Sequence, residues 1–219
     1  MTLTATTSRI VSLATLGFLS AFTAGASTIS IANFSFEDLP PVTGLPIGGC
    51  GLSCSFSSGA IPGWTGSDAT SGQFQPGTQA GNLASFSTLS DSITIAYSNG
   101  ATLSQAVSTL GLGTYTLMVD LGQRNDTAFT AGADLLINGS TVMLATGTAP
   151  SAGNWSTFTA SFTGAPSTIT IQLTSGGVQA DFDNVRLSFA SAVPEPAGFT
   201  LLGLGLAGLL VVARRKRTN

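Results

Sequence analysis

Between residues 27 and 192, apolar and polar positions alternate with a period of two. Ser92-Ile93-Thr94-Ile95-Ala96-Tyr97, Thr114-Tyr115-Thr116-Leu117-Met118-Val119, Trp155 to Phe162 and Thr168 to Leu173 all follow it. In an extended chain this spacing puts every apolar side chain on one face, so each segment reads as a strand buried on one side. Turn residues separate the segments: Asn99-Gly100, Gly111 to Gly113, Asn138-Gly139, Gly164 to Pro166 and Gly176-Gly177. The pattern predicts strands over 29–36, 61–64, 72–74, 83–86, 92–97, 102–107, 115–121, 134–137, 141–145, 157–162, 168–173 and 182–189, with no amphipathic helix between them. The expected architecture is all-β, an antiparallel two-sheet sandwich of the jelly-roll kind.

The two ends break this period. Arg9 precedes an apolar stretch from Ile10 to Phe22, and Ala24-Gly25-Ala26 is a small-residue cleavage pattern. Residues 1–26 therefore read as a signal peptide, with Ser27 the expected mature start. At the other end, Ala197 to Ala213 is uncharged and apolar and is followed by Arg214-Arg215-Lys216-Arg217. As a helix this run is about 25 Å long, enough to span a thinned bilayer with snorkelling basic flanks. The basic cluster favours the cytoplasmic side, which puts the domain between the two segments outside the cytoplasm. Gly203-x-Gly205-x-x-Gly208 matches a dinucleotide-binding pattern in letters only, because it lies within this apolar run with no strand before it. It reads as helix-packing glycine.

Val193-Pro194-Glu195-Pro196, the Gly- and Leu-rich run and the terminal basic cluster together resemble the PEP-CTERM sorting signal of Gram-negative bacteria, over residues 192–219. The resemblance implies that Pro194, Glu195 and Pro196 form the recognition motif of an exosortase. It also implies a bacterium that makes exopolysaccharide and a product that ends at the cell surface or in the biofilm matrix. The expected organisation is a signal peptide over 1–26, a sandwich domain over 27–192 and a sorting signal over 193–219, with its motif at 194–196, membrane helix at 197–213 and basic tail at 214–217.

Charge narrows the partners. The central domain carries nine acidic residues against Arg124 and Arg186 and has no lysine. This argues against nucleic acid and against anionic membrane surfaces as partners of the domain, since neither phosphate neutralisation nor electrostatic steering is available. The chain has no histidine, which removes serine and cysteine triads and His-bound zinc. A carboxylate pair among Asp120, Asp126, Asp181 and Asp183 is the remaining hydrolytic option, but no spacing singles one out, and the chain reads as non-enzymatic.

Asn33-Phe34-Ser35-Phe36-Glu37, Ile61-Pro62-Gly63-Trp64 and Phe182-Asp183-Asn184-Val185-Arg186-Leu187 resemble the first and last strands of the galactose-binding-like jelly roll of carbohydrate-binding modules. The resemblance implies that these strands pair and that Glu37 and Asp183 are the side-chain ligands of a structural calcium. Two carboxylates with backbone carbonyls suit that hard cation. Asp181 either joins that site or lines a separate surface. For a glycan, the candidate stacking rings are Trp64, Trp155, Tyr97, Phe74 and Phe129. Arg124 and Asp126, flanked by Gln123 and Asn125, supply the polar groups. Trp64 and Trp155 also fit core positions, and Arg124 with Asp126 also fits a loop ion pair. Cys50 and Cys54, the only cysteines, are expected to close a small disulfide loop in an oxidising compartment. Four Asn-x-Ser/Thr sequons, at Asn33, Asn125, Asn138 and Asn154, are what chance gives in a chain this rich in Ser and Thr. The two functions in view are an exported polysaccharide-binding module and a structural surface protein that contacts other proteins.

Overall fold

The computed structural model describes residues 25–40, 55–76, 86–91, 93–192, 203–206 and 208. The predicted signal peptide up to residue 24, Cys50 and Cys54, and Pro194, Glu195 and Pro196 lie outside the described residues. So does most of the predicted membrane helix; 203–206 and 208 are helical. Among the described residues no helix is long and apolar enough to cross a membrane.

Residues 24–192 form one compact unit, whose described residues make eleven strands: β1 (Ala26–Ile29), β2 (Ser55–Ser58), β3 (Ser71–Gln75), β4 (Ile95–Ser98), β5 (Leu103–Val107), β6 (Gly113–Gln123), β7 (Ala131–Ile137), β8 (Thr141–Leu144), β9 (Asn154–Gly164), β10 (Ile169–Ser175) and β11 (Ala180–Ser191). They make two antiparallel sheets. The larger has the order β2-β3-β4-β11-β6-β9, with β1 also paired to β11, and the smaller has the order β5-β10-β7-β8. Strand β11 shares one edge between two partners: β4 covers Ala180 to Phe182 and β1 covers Leu187 to Ala190. The first and last strands thus pair.

Alternation explains the sandwich. Tyr115, Leu117, Val119 and Leu121 of β6, with Phe182, Leu187 and Phe189 of β11, are buried in one core with Leu135, Ile137, Ile169, Ile171 and Leu173 of the smaller sheet. The intervening residues of β6, Thr114, Thr116, Met118, Asp120 and Gly122, therefore lie on the far face of the larger sheet. A second, smaller cluster sits on that far face: Phe74, Phe86, Ile95 and Tyr97, with Phe56 and Trp155 packed against it.

Of the predicted strand 83–86 only Phe86 lies within the described residues, and it is not in a strand; three other predicted strands differ. The segment 29–36 is strand only to Ile29 and then turns, because Asn33 (φ 48°) and Phe36 (φ 58°) adopt left-handed backbone. Asn33 holds this turn by donating to the Asp38 and Pro62 carbonyls and accepting from the Asp38 N–H. Residues 61–64 form a turn closed by Trp64 N–H to Ile61 O at 3.0 Å, where Gly63 has φ 81°. The segment 92–97 pairs only from Ile95 onward. Strand β2, Ser-Phe-Ser-Ser, went unpredicted because its single apolar residue leaves no alternation to read.

Candidate functional site

One row of residues crosses the far face of the larger sheet at the end where β11 begins. Register places Ser58, Gly72, Tyr97, Asp181, Gly122 and Trp155 side by side on six neighbouring strands. The two glycines keep this row low. A Cβ on Gly72 would meet the Ser57 carbonyl oxygen at 1.9 Å, and one on Gly122 would meet the rings of Trp155 and Phe86 at 2.8 and 2.9 Å. Phe86 fills the space above Gly122, fully buried and stacked on Trp155 with ring centroids 4.7 Å apart.

Beside this stack lies an open cleft of about 330 Å³, lined by Phe56, Phe74, Tyr97, Asn99, Arg124 and Gln179 among others. That is the lower end of the ~300–1,000 Å³ typical of small-molecule sites. The Tyr97 hydroxyl is held by Ser58 Oγ at 2.8 Å and by the Ser57 carbonyl at 3.1 Å. Arg124 makes a two-point pair with Asp126, Nε to Oδ1 and Nη2 to Oδ2 at 2.9 Å each, and its Nη1 donates to Gln179 Oε1. Arg124, the one cation lining the cleft among the described residues, is therefore charge-compensated.

Behind Gln179 is a buried acid. Gln179 Nε2 donates to Asp181 Oδ1 at 2.8 Å, while Asp181 Oδ2 has no partner among the described residues. Burial pushes the Asp181 carboxyl up to about 7, against the lowering effects of the Gln179 bond and Arg124, with Asp126 adding to the rise. Asp183 is also raised to about 7, mainly by burial and further by the carboxylates of Asp91 and Asp120; N–H groups of Asp91 (3.2 Å) and Asn184 (2.8 Å) oppose the rise. Asp120 accepts from Ser90, Thr157, Asn184 and Arg186 at 2.6–3.0 Å.

The candidate glycan contacts fall into two groups. Tyr97 and Arg124 line the cleft, joined by Phe74, with the exposed Asp126 paired to Arg124. Trp155 is half-buried under Phe86, its indole N–H donating to Thr88 O at 3.1 Å. Trp64 is 5% exposed and packs against Phe36 at 5.4 Å, so it belongs to the core, as does Phe129 against Phe158. Trp64 lies in a turn rather than a strand, and it is the turn that aims its ring inward. Glu37 and Asp183 have separate partners. Glu37 accepts from Thr94 N–H (2.6 Å) and Thr94 Oγ1 (3.2 Å), whereas the carboxylates that act on Asp183 are Asp91 and Asp120. Among the described residues, no group of three or more His, Cys, Asp or Glu is arranged to hold a metal. Phe56, Asn99 and Gln179 escaped the sequence reading. Only Gln179 left a signal, a polar residue two positions before an acid at a strand start.

The family model described as HpiC1 cyclase matches residues 27–188, well over half of the chain. The chain belongs to the HpiC1-like family. The PEP-CTERM protein-sorting motif matches residues 192–217 beyond this HpiC1-like domain, and marks the protein for sorting to the cell envelope or surface. No match was found among curated proteins. Solved structures similar to this HpiC1-like chain include a CBM35 module from Cellvibrio japonicus Abf62 (22% identity over 54% of this chain and 85% of that one, TM-score 0.38). A structure described as CBM4 (18%, 73% and 99%, TM-score 0.38) and the CBM22-1 xylan-binding domain of Paenibacillus barcinonensis Xyn10C (8%, 80% and 100%, TM-score 0.41) are also similar. These likenesses are loose, and none is near enough to carry site residues across.

Proposed function

We propose that this is an exported, exosortase-processed protein of a Gram-negative cell surface or matrix whose sandwich binds a neutral polysaccharide in the cleft beside Tyr97. The observation that carries the reading is the cleft's composition. Phe56, Phe74 and Tyr97 offer ring surface, while Ser58, Asn99, Gln179 and a charge-compensated Arg124 offer donors and acceptors without net charge. Neutral hydroxyl-bearing ligands need that combination. The PEP-CTERM motif supports delivery to the surface, with residues 197–213 holding the precursor in the membrane until processing. A glycan array probed with the whole chain tests binding. Phe56→Ala and Arg124→Gln should each weaken binding at least about tenfold, the loss of roughly 1.4 kcal/mol of contact, with the melting temperature retained. Silence across neutral polysaccharides refutes the reading and leaves the structural surface protein.

Calcium at Glu37 and Asp183 belongs to the same proposal and rests on the sequence resemblance, not on a shared contact between the two carboxylates. Added calcium should raise the melting temperature, and Glu37→Ala and Asp183→Ala should each abolish the rise. An unchanged melt removes it.

A second reading has its own observation. A fully buried carboxyl raised to about 7, with one oxygen unpartnered among the described residues and Gln179 between it and an aromatic-lined cleft, is equipped to hold a proton at neutral pH and to donate it once Gln179 moves aside. The family's description as a cyclase agrees with a ring-closing reaction. Recovery of a cleft ligand as an isomer, by NMR, favours this reading; recovery unchanged favours binding alone.

A further inference from the structure

The end of the sandwich from which the sorting tail leaves has a distinct surface. β11 ends at Ser191 beside the start of β6, and the Ala192 N–H donates to the Leu112 carbonyl at 3.2 Å. Leu110 and Leu112, 49% and 60% exposed, stand in the loop between β5 and β6. This loop is rigid: the buried Tyr115 hydroxyl accepts from Leu110 N–H at 2.8 Å and donates to Gly111 O at 2.9 Å. Gly111 takes φ 93°, which permits so tight a turn. Two leucines are thus held in water at the tip.

Charge is missing from the same end. Register brings together here the loops 108–112, 138–140 and 164–168 with residues 26–27 and 191–192, and none of these residues is Asp, Glu, Lys or Arg. In a domain with nine acids this leaves one face free of the desolvation cost of charged groups and of repulsion from anionic headgroups.

Covalent geometry then limits what this face can meet. From Ala192 to Ala197, the first residue of the apolar run, is five residues, at most about 17 Å fully extended. We propose that the Leu110–Leu112 tip is a membrane-contact surface that seats in the interfacial layer of the bilayer while the tail is attached. This rests on the proposal that 197–213 anchors the precursor. The opposite end, where β11 starts and the cleft opens, then faces away from the lipid. The β11 strand between them has twelve residues, about 40 Å of rise, so the cleft is presented well clear of the headgroups.

The test uses the whole chain in vesicles of phosphatidylethanolamine and phosphatidylglycerol, with and without brominated acyl chains. Leu112→Trp reports the tip, and Val178→Trp, in the 175–180 turn at the opposite end and 42% exposed, is the control; Leu110→Trp replaces the first if it lowers the melting temperature. After subtraction of the parent chain's emission, bromolipid should quench the Leu112→Trp signal about twofold, as for a side chain seated at the acyl boundary, and leave Val178→Trp unchanged. Vesicle flotation of the chain without selective quenching at the tip overturns the proposal while the anchor stands. Failure to float overturns the anchor, and the proposal with it.

Discussion

Replacing Asp181 by asparagine should make the protein more stable at alkaline pH. The buried carboxyl is raised from its ordinary 3.8 to about 7, chiefly by desolvation. Between those values the native state holds a proton that the unfolded chain has released, so stability falls as pH rises through the interval and stays low above it. A shift of about three units corresponds to about 4 kcal/mol once both states are ionised, or roughly 10 °C in melting temperature for a domain of this size. The carboxamide of Asp181→Asn would keep an acceptor for Gln179 Nε2 and could never ionise. The assay is thermal denaturation of both proteins at intervals from pH 4.5 to 8.5. The parent should lose stability across this range, and Asp181→Asn should lose about half as much, the remainder coming from Asp183, raised equally, and from Asp134, raised in the same direction by burial. Near-equal melting temperatures at pH 4.5, with the variant higher at pH 8.5, are expected. A parent whose stability rises with pH, or a variant that is no more stable than the parent at pH 8.5, would refute the reasoning.

Gly122→Ala puts a methyl group within 2.9 Å of both the Trp155 and Phe86 rings; it should cost about 1–3 kcal/mol by overpacking, visible as a lower melting temperature and a change in tryptophan emission. Tyr115→Phe leaves the Leu110 N–H and Gly111 carbonyl without their buried partner and should cost about 1–3 kcal/mol, read by denaturant unfolding, with faster amide exchange at Leu110. Asn138→Ala should destabilise the protein despite its exposed position, since its carboxamide oxygen accepts from Ser167 N–H, Ser167 Oγ and Thr168 N–H at 2.8–3.2 Å and its φ is 52°; an unchanged melt would show that those bonds are replaced by water.

The all-β class, the two sheets and the long strands β6, β9, β10 and β11 were legible because each buries one face, and burial of one face is what a period of two records. The sorting motif was legible because its prolines, apolar run and basic cluster act through local chemistry. The turns at Asn33 and Trp64 were not, since their backbone is set by bonds to Asp38 and Pro62 and by the core that receives the indole. The cleft was half legible. Tyr97 and Arg124 carry recognisable chemistry, but Phe56, Asn99 and Gln179 come from segments far apart in the chain, and only sheet register brings them together.

By itself the sequence determined which faces are buried, that the domain is acidic and histidine-free, and how its end is addressed, because composition and periodicity act at every residue independently of partners. Tertiary structure alone decided that Asp181 is a dry, half-partnered acid behind Gln179 and that the charge-free loops and the two exposed leucines share the end from which the tail departs. Desolvation and adjacency depend on what packs alongside a residue, and no one-dimensional pattern contains that.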